Sequence, residues 1–227
     1  MAMRKTLRRW HLWLGWLVGV PLLLWTLSGL AMVLKPIEEV RGEHLRIEQP
    51  QALPAGNPAA LAIPLAPASP ERRRVTAMQW GRAVTTLARA DGTLERYDAA
   101  TGAPLDPVDE AEARRIVAKG IRGGASVTSA RLFPDGKAPL DFRRPGAAWQ
   151  LALADGTHVY VGRDSGEIEA VRTRWWRIYD FFWGLHIMDL QTREDSHNPW
   201  LVTFAAFSLI TVLVALVLLP LSTGRKR

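Results

Sequence analysis

The chain has five histidines and no cysteine, so cysteine-ligated metals are excluded and imidazole is a candidate ligand for a metal or haem iron. His11 is the sharpest candidate. At helical spacing it shares a face with Gly15, Gly19, Thr26 and Gly29. Gly15 and Gly19 form a GxxxG pattern, and small residues let a partner helix or a flat porphyrin come close. The same face also serves helix packing alone. His186 is second, within an aromatic stretch, residues 174–190, interrupted by Arg177, Asp180 and Asp189. On a helical wheel Arg177, Asp180 and Gly184 group together, with His186 opposite, near Trp175, Tyr179 and Phe182. It reads either as a ligand in an aromatic pocket or as part of a membrane-surface anchor. His44 and His197 are weaker candidates, each next to a long apolar run, where they could approach His186. His158 reads as a cross-strand or surface residue.

Other chemistries find little support. No GxGxxG follows a strand, and neither a P-loop nor an HExxH occurs. No serine stands in a recognisable nucleophile context. No catalytic residue is assigned, and no metal site beyond the histidines. Absence of cysteine excludes disulfides and thiol catalysis.

Two apolar runs must position these histidines. Residues 12–34 and 200–221 are both uncharged and long enough to cross a hydrocarbon core of about 30 Å as helices. Pro21 falls inside the first, where a kink is tolerable. The chain carries 29 basic and 22 acidic residues. Arg4, Lys5, Arg8 and Arg9 precede the first run, and Arg225, Lys226 and Arg227 follow the second. Those seven account for the whole excess. Nucleic-acid binding, which would put positive charge on the folded domain, is therefore not expected. The positive-inside rule puts both termini in the cytoplasm and the central region across the membrane. Trp10, Trp13 and Trp16 mark one interfacial belt; Trp175, Trp176, Trp183 and Trp200 mark the other. The alternative for the first run is a cleaved signal peptide, whose apolar stretch is normally only about 7–15 residues.

The expected organisation is a basic tail (1–11), a first membrane helix (12–34), a periplasmic domain (35–172), an aromatic interfacial helix and loop (173–198), a second membrane helix (199–221) and a second tail (222–227). Residues 50–70 are rich in Pro and Ala and read as a linker, with a short helix conceivable over 53–65. Beyond them lies a faint repeat at an offset of 64: LARADGT (87–93) matches LALADGT (151–157), and Thr101-Gly102 matches Ser165-Gly166. Each copy reads as strands joined by an Asp-Gly turn and a second Gly turn. Alternation puts Leu151 and Leu153 on one face and Val159 and Val161 on another. Between the copies, residues 107–119 read as a helix capped by Asp106 and ended by Gly120, followed by a strand over 126–133. One unit is then a helix followed by three strands. Arg72–Arg74 and Arg143–Arg144 read as solvated faces or headgroup contacts.

The helix, the strands and the closing DGTHVYVGRDSGEI (155–168) resemble a PepSY domain. RWHLWLG (9–15), LSGL (27–30) and the aromatic segment with Gly184-Leu-His186 are similar to PepSY-associated transmembrane proteins. Many of those have four membrane helices; this sequence has two. The resemblance implies an α+β fold with membrane helices: two transmembrane helices flanking a periplasmic helix-plus-antiparallel-sheet domain in a bacterial inner membrane. It also implies a part in iron homeostasis, as some such proteins reduce ferric siderophores through haem held by membrane histidines. Other PepSY domains restrain or regulate peptidases.

Geometry constrains the haem reading. His11 and His186 belong to opposite membrane surfaces, about 30 Å apart, so they do not share one iron. Pairing of His11 across a homodimer through the Gly15/Gly19 face would supply two ligands, as would pairing His186 with His44 or His197. The leading expectation is a haem-binding electron-transfer or ferric-siderophore-reduction component with a membrane redox partner. The competing expectation is a non-catalytic binding or regulatory module that docks a periplasmic protein. The second apolar run carries Trp200, Phe204, Ser208, Thr211 and Ala215 as a stripe expected to meet the glycine face of the first.

Overall fold

The computed structural model describes residues 2–48, 52–53 and 70–223. The chain divides into two compact units, Met1–Pro36 with Arg177–Arg227, and Ile37–Trp176. The conceivable helix over 53–65 lies almost wholly outside the described residues.

The first unit is helical: α1 (Ala2–Met32), most of α4 (Arg174–His186) and α5 (Pro199–Thr223). Helix α1 starts within the basic segment, at Ala2. Both α1 and α5 are long and apolar enough to cross a bilayer. Their outward Leu23, Leu209, Val212 and Leu216 are exposed, which an aqueous surface would not favour and lipid would. The two helices pack against each other. Phe204, Ser208, Thr211 and Ala215 are partly buried, as the stripe requires, whereas Trp200 is exposed. The expected partner of that stripe differs. A Cβ built on Gly15 or Gly19 would meet nothing within 4 Å, so the glycine face is open. Val18 and Ser28 are the buried residues of α1 instead.

Helix α5 begins by a well-satisfied cap. Asn198 Oδ1 accepts from Leu201 N at 3.0 Å, and its amide donates to Ile187 O and Asp195 O, both at 2.8 Å. Pro199 then occupies the first helical position, where no N–H is needed. In the preceding loop Asp189 accepts from the Thr192 hydroxyl and from the N–H groups of Gln191, Thr192, Glu194 and Asp195. These bonds, led by the Thr192 hydroxyl, hold its carboxyl well below the usual range. The polar face expected on α4 is partly covered rather than solvated. Asp180 is buried and accepts from Arg193 Nη1 at 2.7 Å, and a Cβ on Gly184 would stand 2.7 Å from Arg193 Cγ.

The second unit is α+β. After α2 (Ile37–Val40) and a 3-10 turn (Glu43–Leu45) come β1 (Glu71–Gln79), β2 (Arg82–Arg89), β3 (Leu94–Asp98) and β4 (Pro104–Leu105), an antiparallel meander in that order. Helix α3 (Glu110–Gly120) follows, then a second meander of β5 (Val127–Phe133), β6 (Ala148–Leu153), β7 (His158–Gly162) and β8 (Ile168–Arg172). The repeat is therefore two separate four-stranded sheets, and α3 is followed by four strands rather than three. The Asp-Gly turns are alike in detail. Asp91 Oδ1 accepts from Thr93 N at 2.9 Å and Asp155 Oδ1 from Thr157 N at 2.8 Å, with Gly92 at φ 89° and Gly156 at φ 80°. The first hairpin turns on Trp80-Gly81, both at positive φ, as a two-residue hairpin turn of the primed type demands.

Three sequence expectations need correction here. The cap of α3 is Asp109, whose carboxylate accepts from Glu112 N at 2.7 Å; Asp106 lies too early. Leu151 pairs with Val159, so Leu151, Leu153, Val159 and Val161 all share one face. That face packs with Ala113, Ile116 and Val117 of α3 in the main apolar core. Arg143 is not on a solvated face: its guanidinium stands 5.6 Å from the Trp176 ring, beside Arg172 at 4.1 Å. Gly120 ends α3 for a reason of space. A Cβ there would stand 2.5 Å from Trp80 and 2.5 Å from Ile168, one from each sheet.

Candidate functional site

In the helical unit the aromatic segment folds so that His186, the last residue of α4, lies on α1. Its ring stacks on Trp25 with centroids 4.4 Å apart and planes 22° apart. Nδ1 is 3.0 Å from Ser28 Oγ and 3.2 Å from Trp25 O. Ser28 Oγ is itself 2.8 Å from Trp25 O, to which it donates in the manner of helical serines. A carbonyl only accepts, so the neutral ring keeps its proton on Nδ1 and carries the lone pair on Nε2. Gly29 makes the approach possible, since a Cβ there would stand 3.3 Å from His186 Cε1.

His11 has a different setting. It lines a groove of about 450 Å³ with Leu12, Gly15, Trp16, Gly19, Val20 and Leu23. The floor is smooth because both glycines are open, and the walls are apolar. His11 Nδ1 is buried and has no hydrogen-bond partner among the described residues. His11 and Trp25 are fourteen residues apart on one helix, roughly 20 Å along its axis. His11 and the imidazole stacked on Trp25 therefore do not converge.

His197 is exposed, and its N–H donates to Asp195 Oδ1 at 2.9 Å. The Asn198–Ile187 hydrogen bond brings the neighbours of His197 and His186 to the same end of the helical unit. His44 belongs to the α+β unit, on the 3-10 turn, and is exposed. His158 stands on β7 with Nδ1 3.3 Å from Asp141 Oδ2, a cross-strand position as expected. Among the described residues no group of three His, Asp or Glu side chains is arranged to hold a metal ion.

A larger cavity of about 720 Å³ lies in the same helical unit, between α1, the end of α4 and the loop before α5. Val20, Leu24, Trp25, Leu185 and Met188 form its apolar part; Gln191, Thr192 and Asp195 form its polar rim. None of the five histidines lines it. Sequence reading missed Trp25 and Ser28 as the seat of His186. The available signal was a serine inside an otherwise apolar run, three residues after a tryptophan, on one helix face.

Neither the curated proteins nor the solved structures contain a significant match to this chain. A family model does match, over residues 8–227, which takes in both apolar helices and both sheets. With nearly the whole sequence matched, the chain belongs to the PepSY-associated TM region family.

Proposed function

We propose that this chain is a haem-binding electron-transfer component of a bacterial inner membrane, with His11 as the iron ligand and the Gly15/Gly19 groove as the seat of the porphyrin. The observation that carries this reading is the groove itself: one imidazole with an unpartnered buried nitrogen, beside an apolar floor that two glycines keep flat. The residues fit a planar apolar group bound by one protein ligand. When bound, haem would supply one-electron exchange, and a ferric chelate is the acceptor that the family suggests. The chain's own part would be to hold the ring through His11 and to exclude water with Trp16, Leu12 and Leu23. A second copy meeting this open face would bring a second His11. His186 serves in this reading to fix α4 on α1; its Nε2 lone pair makes it the alternative iron ligand at a separate site, where His197 or His44 would be the second ligand. The seven terminal basic residues support an orientation with both ends in the cytoplasm and the α+β unit in the periplasm.

Visible spectra of the detergent-purified chain, oxidised and then reduced with dithionite, test this. The expected result is a Soret band that His11→Ala abolishes and that His186→Ala leaves in place. Folded protein from haem-replete cells with no Soret band would overturn the reading, as would a band indifferent to His11→Ala. A second reading, a binding or regulatory module anchored by two helices, is favoured by a distinct observation: a charged cleft in the α+β unit, between the first sheet and α3, lined by Arg82, Arg96, Arg115, Lys119 and Glu112.

A further inference from the structure

The larger cavity of the helical unit reaches from the apolar run of α1 to the loop before α5. Leu24 and Trp25 lie inside the uncharged run 12–34, and residues 187–198 lie just ahead of the uncharged run 200–221. The cavity therefore spans the depth at which an amphiphile changes from apolar body to polar head. At about 720 Å³ it falls in the range of small-molecule sites, about 300–1,000 Å³. None of the five histidines lines it, so it is separate from the imidazoles of the haem reading.

The lining is apolar on one side and acidic on the other. Val20, Leu24, Trp25, Leu185 and Met188 make the apolar wall. The charged side chains of the lining are Asp189 and Asp195, and among the described residues no Lys or Arg joins them. The two carboxylates differ. Asp189 is spent on its own loop, accepting from the Thr192 hydroxyl and four backbone N–H groups. Those bonds, led by the Thr192 hydroxyl, hold its carboxyl well below the usual range, so it stays ionised. Asp195 is exposed. Its Oδ1 accepts from His197 N at 2.9 Å, and its carboxylate makes no ion pair among the described residues. The cation nearest in sequence, Arg193, is directed elsewhere, with its Nη1 donating to Asp180 Oδ2 at 2.7 Å. The rim of the cavity is therefore a negative field above an apolar wall. That polarity selects the ligand. A fatty acid or a phospholipid phosphate would bring a negative charge to two carboxylates with no cation to receive it. A wholly apolar molecule would leave the Asp195 carboxylate unused.

We infer that this cavity is a binding site for an amphiphilic amine: an apolar body resting on Leu24, Trp25 and Met188, and an ammonium head donating to Asp195 at the rim. The inference goes beyond the haem reading and stands whether or not the helical unit carries haem.

The test is calorimetric titration of the full chain in phosphatidylcholine nanodiscs with phenylbutylammonium, phenylbutanol and phenylbutyrate, which share one body and differ in the charge of the head. Empty nanodiscs give the baseline for partitioning into lipid. The ammonium is expected to saturate one site with Kd of order 1 mM, in keeping with its few heavy atoms. The alcohol is expected to bind at least about fivefold more weakly and the butyrate more weakly still, since one lacks the charge and the other reverses it. Asp195→Asn should weaken the ammonium at least about fivefold and leave the alcohol unchanged, while Glu43→Gln, an exposed carboxylate of the α+β unit, should leave both unchanged. Leu24→Trp fills the apolar wall and should weaken ammonium and alcohol alike, with the thermal midpoint checking that the variant is folded. Phosphatidylethanolamine added to the discs should not compete. Four results would each overturn the inference: no saturation by the ammonium above the baseline, alcohol or butyrate binding as well as the ammonium, an Asp195→Asn variant that binds like the Glu43→Gln control, or competition by phosphatidylethanolamine, which would assign the cavity to a lipid.

Discussion

The two sheets of the α+β unit are matched strand for strand, yet the corresponding faces are chemically unlike. At the offset of 64, Leu87 corresponds to Leu151, Arg89 to Leu153, Glu95 to Val159 and Tyr97 to Val161. In the second sheet all four are apolar and three of them are fully buried against α3. In the first sheet the same face carries an ion pair. Arg89 donates to Glu95 from Nε at 3.0 Å and from Nη2 at 2.6 Å, and Tyr97 adds its hydroxyl at 2.9 Å. Thr76 and Thr85 hydrogen-bond across β1 and β2 at 2.8 Å. The other face of the first sheet puts Arg96, where the second has Tyr160, into the cleft beside Glu112. The backbone pattern is thus compatible with either kind of face. What differs is which sheet keeps a helix on its apolar side: the second packs this face on α3, and the first carries the Arg89–Glu95 pair there.

The comparison breaks most sharply at the matched leucines. Leu151 is enclosed by the main apolar core, so Leu151→Ala removes three carbons from a site with no room to collapse. The expected cost is about 3–4 kcal/mol, read as a lowered thermal midpoint of the detergent-solubilised chain. Leu87 is also buried, but among the described residues it belongs to no such cluster. Leu87→Ala is expected to cost about 2 kcal/mol or less. Equal costs at the two positions would remove the asymmetry.

A middle-sized effect is expected from exchanging the face itself. Glu95→Val alone removes the carboxylate that accepts from Arg89 Nε and Nη2, and is expected to lower the thermal midpoint. The double change Arg89→Leu with Glu95→Val copies the second sheet and should recover most of that loss in thermal midpoint. If the double variant is no better than the single, the polar face is structurally required rather than a substitution on a common scaffold.

Much of this architecture was legible. Two uncharged runs of helical length, the Asp-Gly repeat and the α3 helix follow from spacing, charge and turn chemistry. What alternation could not settle was which strands faced which partner, because period 2 fixes sides within a strand but not between strands. The Asp91 and Asp155 turns had to be seen folded before Leu151 and Val159 could be placed opposite one another. The histidines were legible as residues but not as settings. His186 was placed in an aromatic context, yet its stacking partner Trp25 lies 161 positions away, beyond any local pattern. The cleft was invisible because Arg96, Arg115 and Gln79 are brought together only by the packing of the first sheet on α3.

The smallest effect belongs to the outer face of the second sheet, where the loop before β6 is tied down by Asp141. Its carboxylate accepts from Tyr160 at 2.6 Å and lies 3.3 Å from His158 Nδ1, while Arg172 Nε donates to the Asp141 backbone carbonyl at 2.5 Å. Burial pushes this carboxyl up, but the hydrogen bonds from His158 and Tyr160 outweigh it and leave the carboxyl below its ordinary value of 3.8. Burial also lowers the neighbouring Arg172 guanidinium to about 10, which keeps it charged throughout the acid range. A depressed carboxyl contributes stability that is present above 3.8 and is lost as pH falls through the folded-state value. The thermal midpoint should therefore drop on acidification below about pH 4, as this group takes up its proton. In Asp141→Asn the Asn oxygen can still accept from Tyr160 but does not titrate, so this part of the acid limb should flatten. The first sheet has no counterpart to this tie at the residues matching Tyr160 and His158, which are Arg96 and Leu94. An acid limb unchanged by Asp141→Asn would transfer the effect to other carboxylates and erase this last difference between the two sheets.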